Sequence, residues 1–192
     1  MALRTAVFAL AGLTLLAAPR AAAHTDPHSV FSDADCDTVA CRPAGTADLG
    51  TRDRHTVSAP VPKSPYVTKD GTIVIYPGEK LLFDFPQAGD TPGLPHYLAN
   101  PTGSETNTLS VEFTQAKDGN PAMLMLRQTT SHTIKVDATM TVLEDGRVMA
   151  THTSTCPLWP NVMGNEMWQQ PLGALLIDNV RYLPPSTTMS CE

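Results

Sequence analysis

The stretch from His132 to Cys156 alternates polar and apolar residues around one turn signal, and it limits the possible fold more than any other part of the chain. From Thr133 to Val142 the alternation is unbroken, which is the period of a β-strand. The residues Glu144-Asp145-Gly146 then predict a tight turn, after which the chain returns along itself. This stretch therefore predicts an antiparallel β-hairpin.

Two turn lengths fit this hairpin. A two-residue Asp-Gly loop places Ala138 opposite Thr153, which mixes polar and apolar residues on each face. A three-residue loop, with Gly146 in the left-handed conformation, keeps the faces separate, and we favour that register. The threonine-rich face is then expected to meet water, as is common in antiparallel sheets. The residues expected on the core face are Ile134, Val136, Ala138, Met140, Val142, Val148 and Ala150.

The chain from Tyr66 onward continues as short strands separated by turns. Lys80–Phe85, Thr108–Ala116, Ala122–Gln128 and Ala174–Leu183 each carry apolar residues with strand periodicity. No stretch in this part has the period of a helix of ordinary length. About eight short strands at this spacing predict an all-β fold, a single antiparallel β-sandwich of immunoglobulin-like or jelly-roll-like type over residues 66–192, including a C-terminal tail.

Two segments precede this domain. Residues 1–23 have the charge at Arg4, the short apolar run and the small residues at Ala21–Ala23 that are typical of a signal peptide. The apolar run is shorter than the roughly 20 residues that span a membrane, and no later stretch is apolar enough, so no transmembrane segment is expected. We therefore expect a periplasmic or secreted chain. Residues 24–65 lack periodicity and predict an irregular N-terminal arm.

The cysteines indicate the compartment of the chain, and the net charge bears on the class of partner. Four cysteines in an exported chain point to disulfides, and the short spacing of Cys36 and Cys41 favours one bond between them, which leaves Cys156 to pair with Cys191. The formal net charge of −6 argues against nucleic acid as a partner. Nothing in the sequence indicates a cofactor.

The segments most suited to recognition are two long connections, Gln87–Asn107 and Pro157–Pro171, because long loops in compact domains are often functional. The second connection contains both tryptophans of the chain. Aromatic rings there can stack on a sugar or anchor a protein partner, and at least one ring is expected to be exposed. We predict a non-enzymatic binding or interaction domain for a protein or carbohydrate ligand. The expected ligand-binding residues are Trp159, Met163, Met167 and Trp168.

Copper binding is one alternative function. Cleavage before His24 leaves an amine and an imidazole on one residue, which together chelate copper. Thioether and imidazole are also the ligands that Cu(I) prefers, but methionine is equally a common filler of apolar cores. Because the sequence spacing fixes no complete ligand set, no metal site is assigned. The residues of suitable type are His24, His28, Met123, Met125, Met163 and Met167.

Hydrolysis is a second alternative. The sequence has no nucleophile elbow, no zinc-protease motif and no glycine-rich phosphate loop. Glu112, Asp137 and Asp178 are the carboxylates that an acid–base pair would use. Charged residues at such strand positions usually face water, so we assign no catalytic residue.

Overall fold

The computed structural model describes residues 36–88, 90–116, 121–185 and 190–191. The predicted signal peptide, residues 1–23, and the candidate copper ligands His24 and His28 lie outside these residues. The described residues form fifteen strands: β1 (Cys41–Arg42), β2 (Gly45–Gly50), β3 (Thr56–Val61), β4 (Ser64–Pro65), β5 (Ile73–Ile75), β6 (Lys80–Asp84), β7 (Gln87–Ala88), β8 (Thr91–Pro92), β9 (His96–Tyr97), β10 (Thr108–Gln115), β11 (Ala122–Gln128), β12 (Ile134–Glu144), β13 (Arg147–Thr153), β14 (Met163–Trp168) and β15 (Leu175–Tyr182).

Two antiparallel sheets pack face to face, which confirms the predicted β-sandwich. One sheet has five strands in the order β14-β11-β10-β6-β9, and the other has four in the order β13-β12-β15-β5. Three two-stranded sheets, β1-β4, β2-β3 and β7-β8, accompany them. Within the described ranges, no helix is long and apolar enough to cross a membrane.

The core lies between the two sheets and is built from alternate residues of each strand. On β10, every second residue from Leu109 to Phe113 is fully buried, and the intervening residues Ser110 and Glu112 point away from the core. The largest buried core side chains are Phe83, Phe113, Ile73, Ile75, Leu109, Leu124, Leu126, Ile134, Leu172, Leu175 and Ile177. Residues of both sheets therefore share one core.

The central hairpin, β12 and β13, forms as predicted but in the other register. Glu144 pairs with Arg147, so the loop has two residues, and the preferred three-residue loop is wrong. Asp145 and Gly146 have φ values of 50° and 74°, the positive pair of a type I′ turn, whose twist matches that of the flanking strands. Val142 therefore faces Met149.

The register change alters which residues reach the core. Ile134, Val136 and Ala138 are buried as predicted, and Met140 and Val142 pack partly against the core. Val148 is half-buried and Ala150 is exposed, so their predicted places on the inner face are wrong. Because β13 is the outermost strand of its sheet, much of it can face water at little cost.

The predicted irregular arm contains a regular hairpin in its described half, and this corrects the prediction for residues 41–65. β2 and β3 pair over their whole length, from Gly45–Val61 to Gly50–Thr56. The small apolar residues of β2 and β3 alternate only weakly with polar ones, so the sequence shows no clear strand period there. A Cβ on Gly50 would lie 2.2 Å from the backbone carbon of Pro171, so this glycine lets the hairpin approach the sandwich closely.

This hairpin covers part of the outer face of the four-stranded sheet. Leu49 and Val61 form a second buried cluster with Val74, Tyr76 and Ala174, and Leu143 packs against it. Leu143, on the outer side of β12, is therefore shielded from water, whereas Ala150 on β13 stays exposed. The expectation of a wet outer face fails here because a third layer covers it.

The predicted loop Pro157–Pro171 contains β14, a complete strand of the five-stranded sheet. Asn, Gly and Pro residues around it weaken the local strand signal, but pairing with β11 over six residues overrides that preference. The other long connection, Gln87–Asn107, holds only the two-residue strands β7, β8 and β9.

The structure contains both predicted disulfides, Cys36–Cys41 and Cys156–Cys191. The second joins the C-terminal tail to the chain just after β13. The Lys135 ammonium also donates a hydrogen bond of 3.2 Å to the carbonyl of Ser190, which links Ser190 to β12. Since all four cysteines are bonded, the chain suits an oxidising compartment.

Candidate functional site

The outer face of the five-stranded sheet is the candidate site. Strand pairing sets its residues in rows across the sheet. Lys80 pairs with Glu112, Glu112 with Met125, and Met125 with Asn165. In the neighbouring row, Arg127 lies opposite Met163. Within the described part of the chain, no small sheet or hairpin packs an apolar cluster on this face as β2 and β3 do on the other sheet.

A groove of 430 Å³ runs along this face, and we call it the outer groove. Its floor is formed by outward residues of β6, β10, β11 and β14, and its wall by residues 103 and 105 of the connection before β10. The side chains that give it its chemical character are Lys80, Glu105, Glu112, Met125, Arg127 and Met163. The two connections predicted for recognition therefore meet at one groove.

The wall of the groove is ordered by the Glu105 carboxylate. It accepts hydrogen bonds from the backbone N–H of Gly103 at 2.8 Å and from the Thr102 hydroxyl at 2.9 Å, and it also accepts the backbone N–H of Thr102. These bonds, chiefly the one from the Thr102 backbone, lower the pKa of Glu105 to about 2. The carboxylate is thus charged and tied to its own loop at neutral pH.

The floor of the groove carries charges of both signs. The Lys80 ammonium lies 2.9 Å from the Glu112 carboxylate, so these two charges largely neutralise each other. Arg127 is exposed one row away, next to Met163. The groove is therefore suited to a ligand with mixed polar and apolar groups rather than to a strongly charged one.

An apolar strip borders the groove along β14 and the turn before it. The described residues include six large apolar side chains that are exposed, and four of them lie between residues 159 and 167. These four, which we call the exposed strip, are Trp159, Val162, Met163 and Met167, with exposed fractions of 40%, 47%, 57% and 56%. Such concentration of exposed apolar area in a soluble domain usually marks an interaction site.

The two tryptophans differ in their surroundings. Trp159 is exposed, which confirms the prediction that at least one ring is accessible. Trp168 packs partly against the core, and its indole N–H donates a hydrogen bond of 3.0 Å to the Thr153 hydroxyl. The rings are therefore not a shared exposed platform.

The inner side of β14 is already occupied. The Glu166 carboxylate accepts the backbone N–H of Cys156 at 2.8 Å, and Gly164 lies directly against the side chain of Leu158. Only the outer side and the open edge of β14 remain for a ligand.

Strand pairing also brings four methionines together. Met123 and Met125 point outward because their neighbours Ala122, Leu124 and Leu126 are buried. Met123 lies directly opposite Met167 on β14. Met125 lies opposite Asn165, between the outward residues Met163 and Met167. We call these four residues the methionine cluster. Met163 and Met167 occupy one strand, β14, and share its outer side.

The candidate carboxylates lie in two places. Glu112 belongs to the outer groove, whereas Asp137 and Asp178 are opposite each other on the four-stranded sheet. Burial raises the pKa of Asp137, but hydrogen bonds from Asn179 and Arg181, at 2.7 Å and 2.9 Å, outweigh it and lower the pKa. Burial and the charge of Asp137 raise the pKa of Asp178. The pair does not line the outer groove.

Two parts of this site were not predicted from the sequence. Lys80, Arg127 and Glu105 were not singled out, because their convergence depends on strand order. The alternation of outward residues along β11 was visible, but the position of β14 beside it was not. Comparisons of the chain with protein families, with curated protein sequences and with solved structures give no match.

Proposed function

We propose that this chain is an exported, non-enzymatic interaction domain that binds an extended segment of a protein partner along β14. One observation carries the proposal: four of the six exposed large apolar side chains of the described residues form the exposed strip. Exposed apolar area of this kind is costly in water unless a partner covers it.

The position of β14 supports an extended partner. β14 is the outermost strand of its sheet, so within the described chain its outer edge pairs with no other strand. Natural proteins usually protect such edges with Lys or Pro, but β14 contains neither, and its one charge, Glu166, is bound to the backbone of Cys156. An added strand can hydrogen-bond to this edge while its side chains contact the strip.

The opposite sheet provides a contrast. β13 is also an outermost strand, but its exposed residues include Arg147, Thr151 and His152, and none of its large apolar residues is exposed. The two edges on this side of the sandwich thus differ in character. The apolar edge is the one suited to a partner.

A protein segment suits this surface better than a sugar. Flat stacking on a sugar ring favours accessible aromatic rings, whereas Trp168 is half-buried and hydrogen-bonded to Thr153. The flexible side chains of Met163 and Met167 adapt to apolar side chains of varied shape. The two disulfides and the predicted signal peptide support an exported domain, in the periplasm or outside the cell.

A library of displayed random peptides, selected on the mature chain, tests the proposal. We expect selected peptides with alternating apolar residues, as strand addition requires. Met163→Lys, which puts a charge in the strip beside Arg127, should abolish their binding. Val57→Lys is the matched control, because Val57 is 42% exposed but lies on the β2–β3 hairpin. Selection of no peptide family, or equal loss of binding in both variants, would overturn the proposal.

A further inference from the structure

We infer that the methionine cluster is a binding site for Cu(I), formed by the thioether sulfurs of Met123, Met125 and Met167. This site goes beyond the proposed binding of a protein segment and stands on a separate observation, the register of β11 and β14. Of the eight methionines in the chain, four meet on one outer sheet face.

The spacing of the three residues suits one small ion. Directly opposite residues of an antiparallel pair, such as Met123 and Met167, have Cβ atoms about 5 Å apart. Met125 is two residues from Met123 on the same strand, at about 7 Å, and diagonal to Met167 at a similar distance. Methionine has three rotatable bonds, so the three sulfurs can converge from these positions without any movement of the backbone.

The accessible sulfurs favour a soft metal. Met167 is 56% exposed, and its sulfur accepts only a weak hydrogen bond, 3.7 Å long, from the Gln169 amide. Met123 and Met125 are half-buried, which limits the freedom that binding must remove. Neutral thioethers are poor ligands for hard cations but good ones for Cu(I).

The cysteine chemistry of the chain points the same way. All four cysteines form disulfides, so no thiolate is left to bind a soft metal. In an oxidising compartment, thioethers remain as sulfur ligands that disulfide formation does not remove. Among the described residues, no group of three or more His, Cys, Asp or Glu side chains is arranged to hold a metal.

The neighbouring charges make Met163 a less suitable ligand for a cation than the other three methionines. Met163 lies directly opposite Arg127, whose positive charge disfavours a cation at that end of the cluster. The Glu105 carboxylate lines the same groove but is held by hydrogen bonds from its own loop. Glu112 is opposite Met125, and its charge is balanced by Lys80 at 2.9 Å. The ion is therefore expected at the end of the cluster formed by Met123, Met125 and Met167.

Anaerobic titration of the mature chain with Cu(I), in competition with the chelator bicinchoninate, tests this site. Met123→Leu, Met125→Leu and Met167→Leu should each weaken Cu(I) binding by more than about tenfold, since even outer partners of a metal commonly account for that much. Met163→Leu should have a smaller effect. Met149→Leu, a half-buried methionine on β13, is the matched control. Leucine keeps the volume and apolar character of methionine, so each variant should keep the fold and melting temperature of the wild-type chain.

Two further measurements separate this site from chelation at His24. NMR spectra of ¹³C-methyl methionine should show Cu(I) shifting the Met123, Met125 and Met167 signals and leaving those of Met140 and Met149 in place. Thioethers carry no proton near neutral pH, so affinity should be nearly constant between pH 8 and pH 5, whereas binding by an amine or imidazole weakens in acid. Among the described residues, the charged groups that line the groove beside the site are Lys80, Glu105, Glu112 and Arg127. Affinity that falls in acid and ignores the three leucine variants, or the absence of Cu(I) binding, would overturn the inference.

Discussion

Arg42 joins the N-terminal segment to the sandwich through a set of buried contacts. Its guanidinium lies 2.8 Å from the Glu79 carboxylate and donates hydrogen bonds of 2.6 Å to the carbonyl of Val74 and 3.1 Å to the Ser64 hydroxyl. It also stacks on two tyrosine rings, at 4.7 Å from Tyr66 and 4.9 Å from Tyr76. Only 4% of the residue is exposed. A buried charge whose hydrogen-bonding groups have partners is structurally important, because its removal leaves those partners unpaired in the interior.

We therefore predict that Arg42→Ala lowers the free energy of unfolding by about 3 kcal/mol, because the partners of the guanidinium would remain buried without it. Arg52 is the matched control: its ion pair with Glu144 is exposed, so Arg52→Ala should cost at most about 0.5 kcal/mol. Urea unfolding of both variants measures the difference. Equal losses would mean that Arg42 does not anchor the segment.

The ionisation of Glu105 determines the pH range in which the loop beside the outer groove is ordered. Because its pKa in the folded chain is lowered from 4.5 to about 2, the bonds of its carboxylate order the loop fully above pH 4.5. That contribution is lost as the pH falls from 4.5 through about 2. We predict a carboxyl ¹³C titration with its midpoint near 2, accompanied by shifts of the Thr102 and Gly103 amide signals. In Glu105→Gln the two amides should exchange faster with solvent at neutral pH. A midpoint at 4.5 would contradict the account.

Among the structural elements, the C-terminal tail depends most on a covalent link. Cys156 and Cys191 are 35 residues apart, so their disulfide restricts a long stretch of the unfolded chain. Replacing both with serine should lower the free energy of unfolding by about 2–4 kcal/mol, measured by urea titration. Replacing Cys36 and Cys41, which are 5 residues apart, should cost about 1–2 kcal/mol less. A larger loss from the shorter link would contradict this ranking.

The strands that the sequence predicted are those with strong alternation. Long apolar or alternating runs such as β10, β11 and β12 appear as expected, because burial of one face dominates their conformation. β14 was missed because Gly164 and Asn165 have low strand propensity, and only its pairing with β11 stabilises it. The hairpin register was mispredicted because both faces of β13 were expected to be sorted between core and water. β13 is the outermost strand of its sheet, so Val148 and Ala150 can lie on its outer side at little cost.

The candidate site could be predicted only in part for the same reason. In the sequence, Trp159, Met163 and Met167 are recognisable as large apolar residues on a segment with many turn residues. Met123 lies beside Met167, and Glu105 faces Met163 across the outer groove. The first two residues are more than 40 positions apart in the sequence, and the second two are 58 apart. Such contacts follow from strand order, which local sequence patterns do not contain.

At the scale of the whole molecule, the two outer faces of the sandwich differ in how much of each is covered. The four-stranded sheet is covered in part by the β2–β3 hairpin, which buries Leu49 and Val61 against it. The five-stranded sheet keeps an open groove, the methionine cluster and the apolar edge of β14. We therefore assign stability to the covered face and partner binding to the open one.

The most direct test of this assignment compares the two tryptophans. Trp159 is exposed, whereas Trp168 is hydrogen-bonded to Thr153 and packs on the core. Trp168→Ala should lower the melting temperature by about 5–10 °C, which corresponds to a loss of about 2–4 kcal/mol. It serves as the control for a structural role.

The decisive measurement is the affinity of Trp159→Ala for a peptide selected on the wild-type chain, determined together with the melting temperature of the variant. The account predicts that affinity falls at least about thirtyfold, the loss of a binding hot spot of 2 kcal/mol, while the melting temperature changes by no more than about 1 °C. Unchanged affinity, or a fall in melting temperature as large as that of Trp168→Ala, would contradict it.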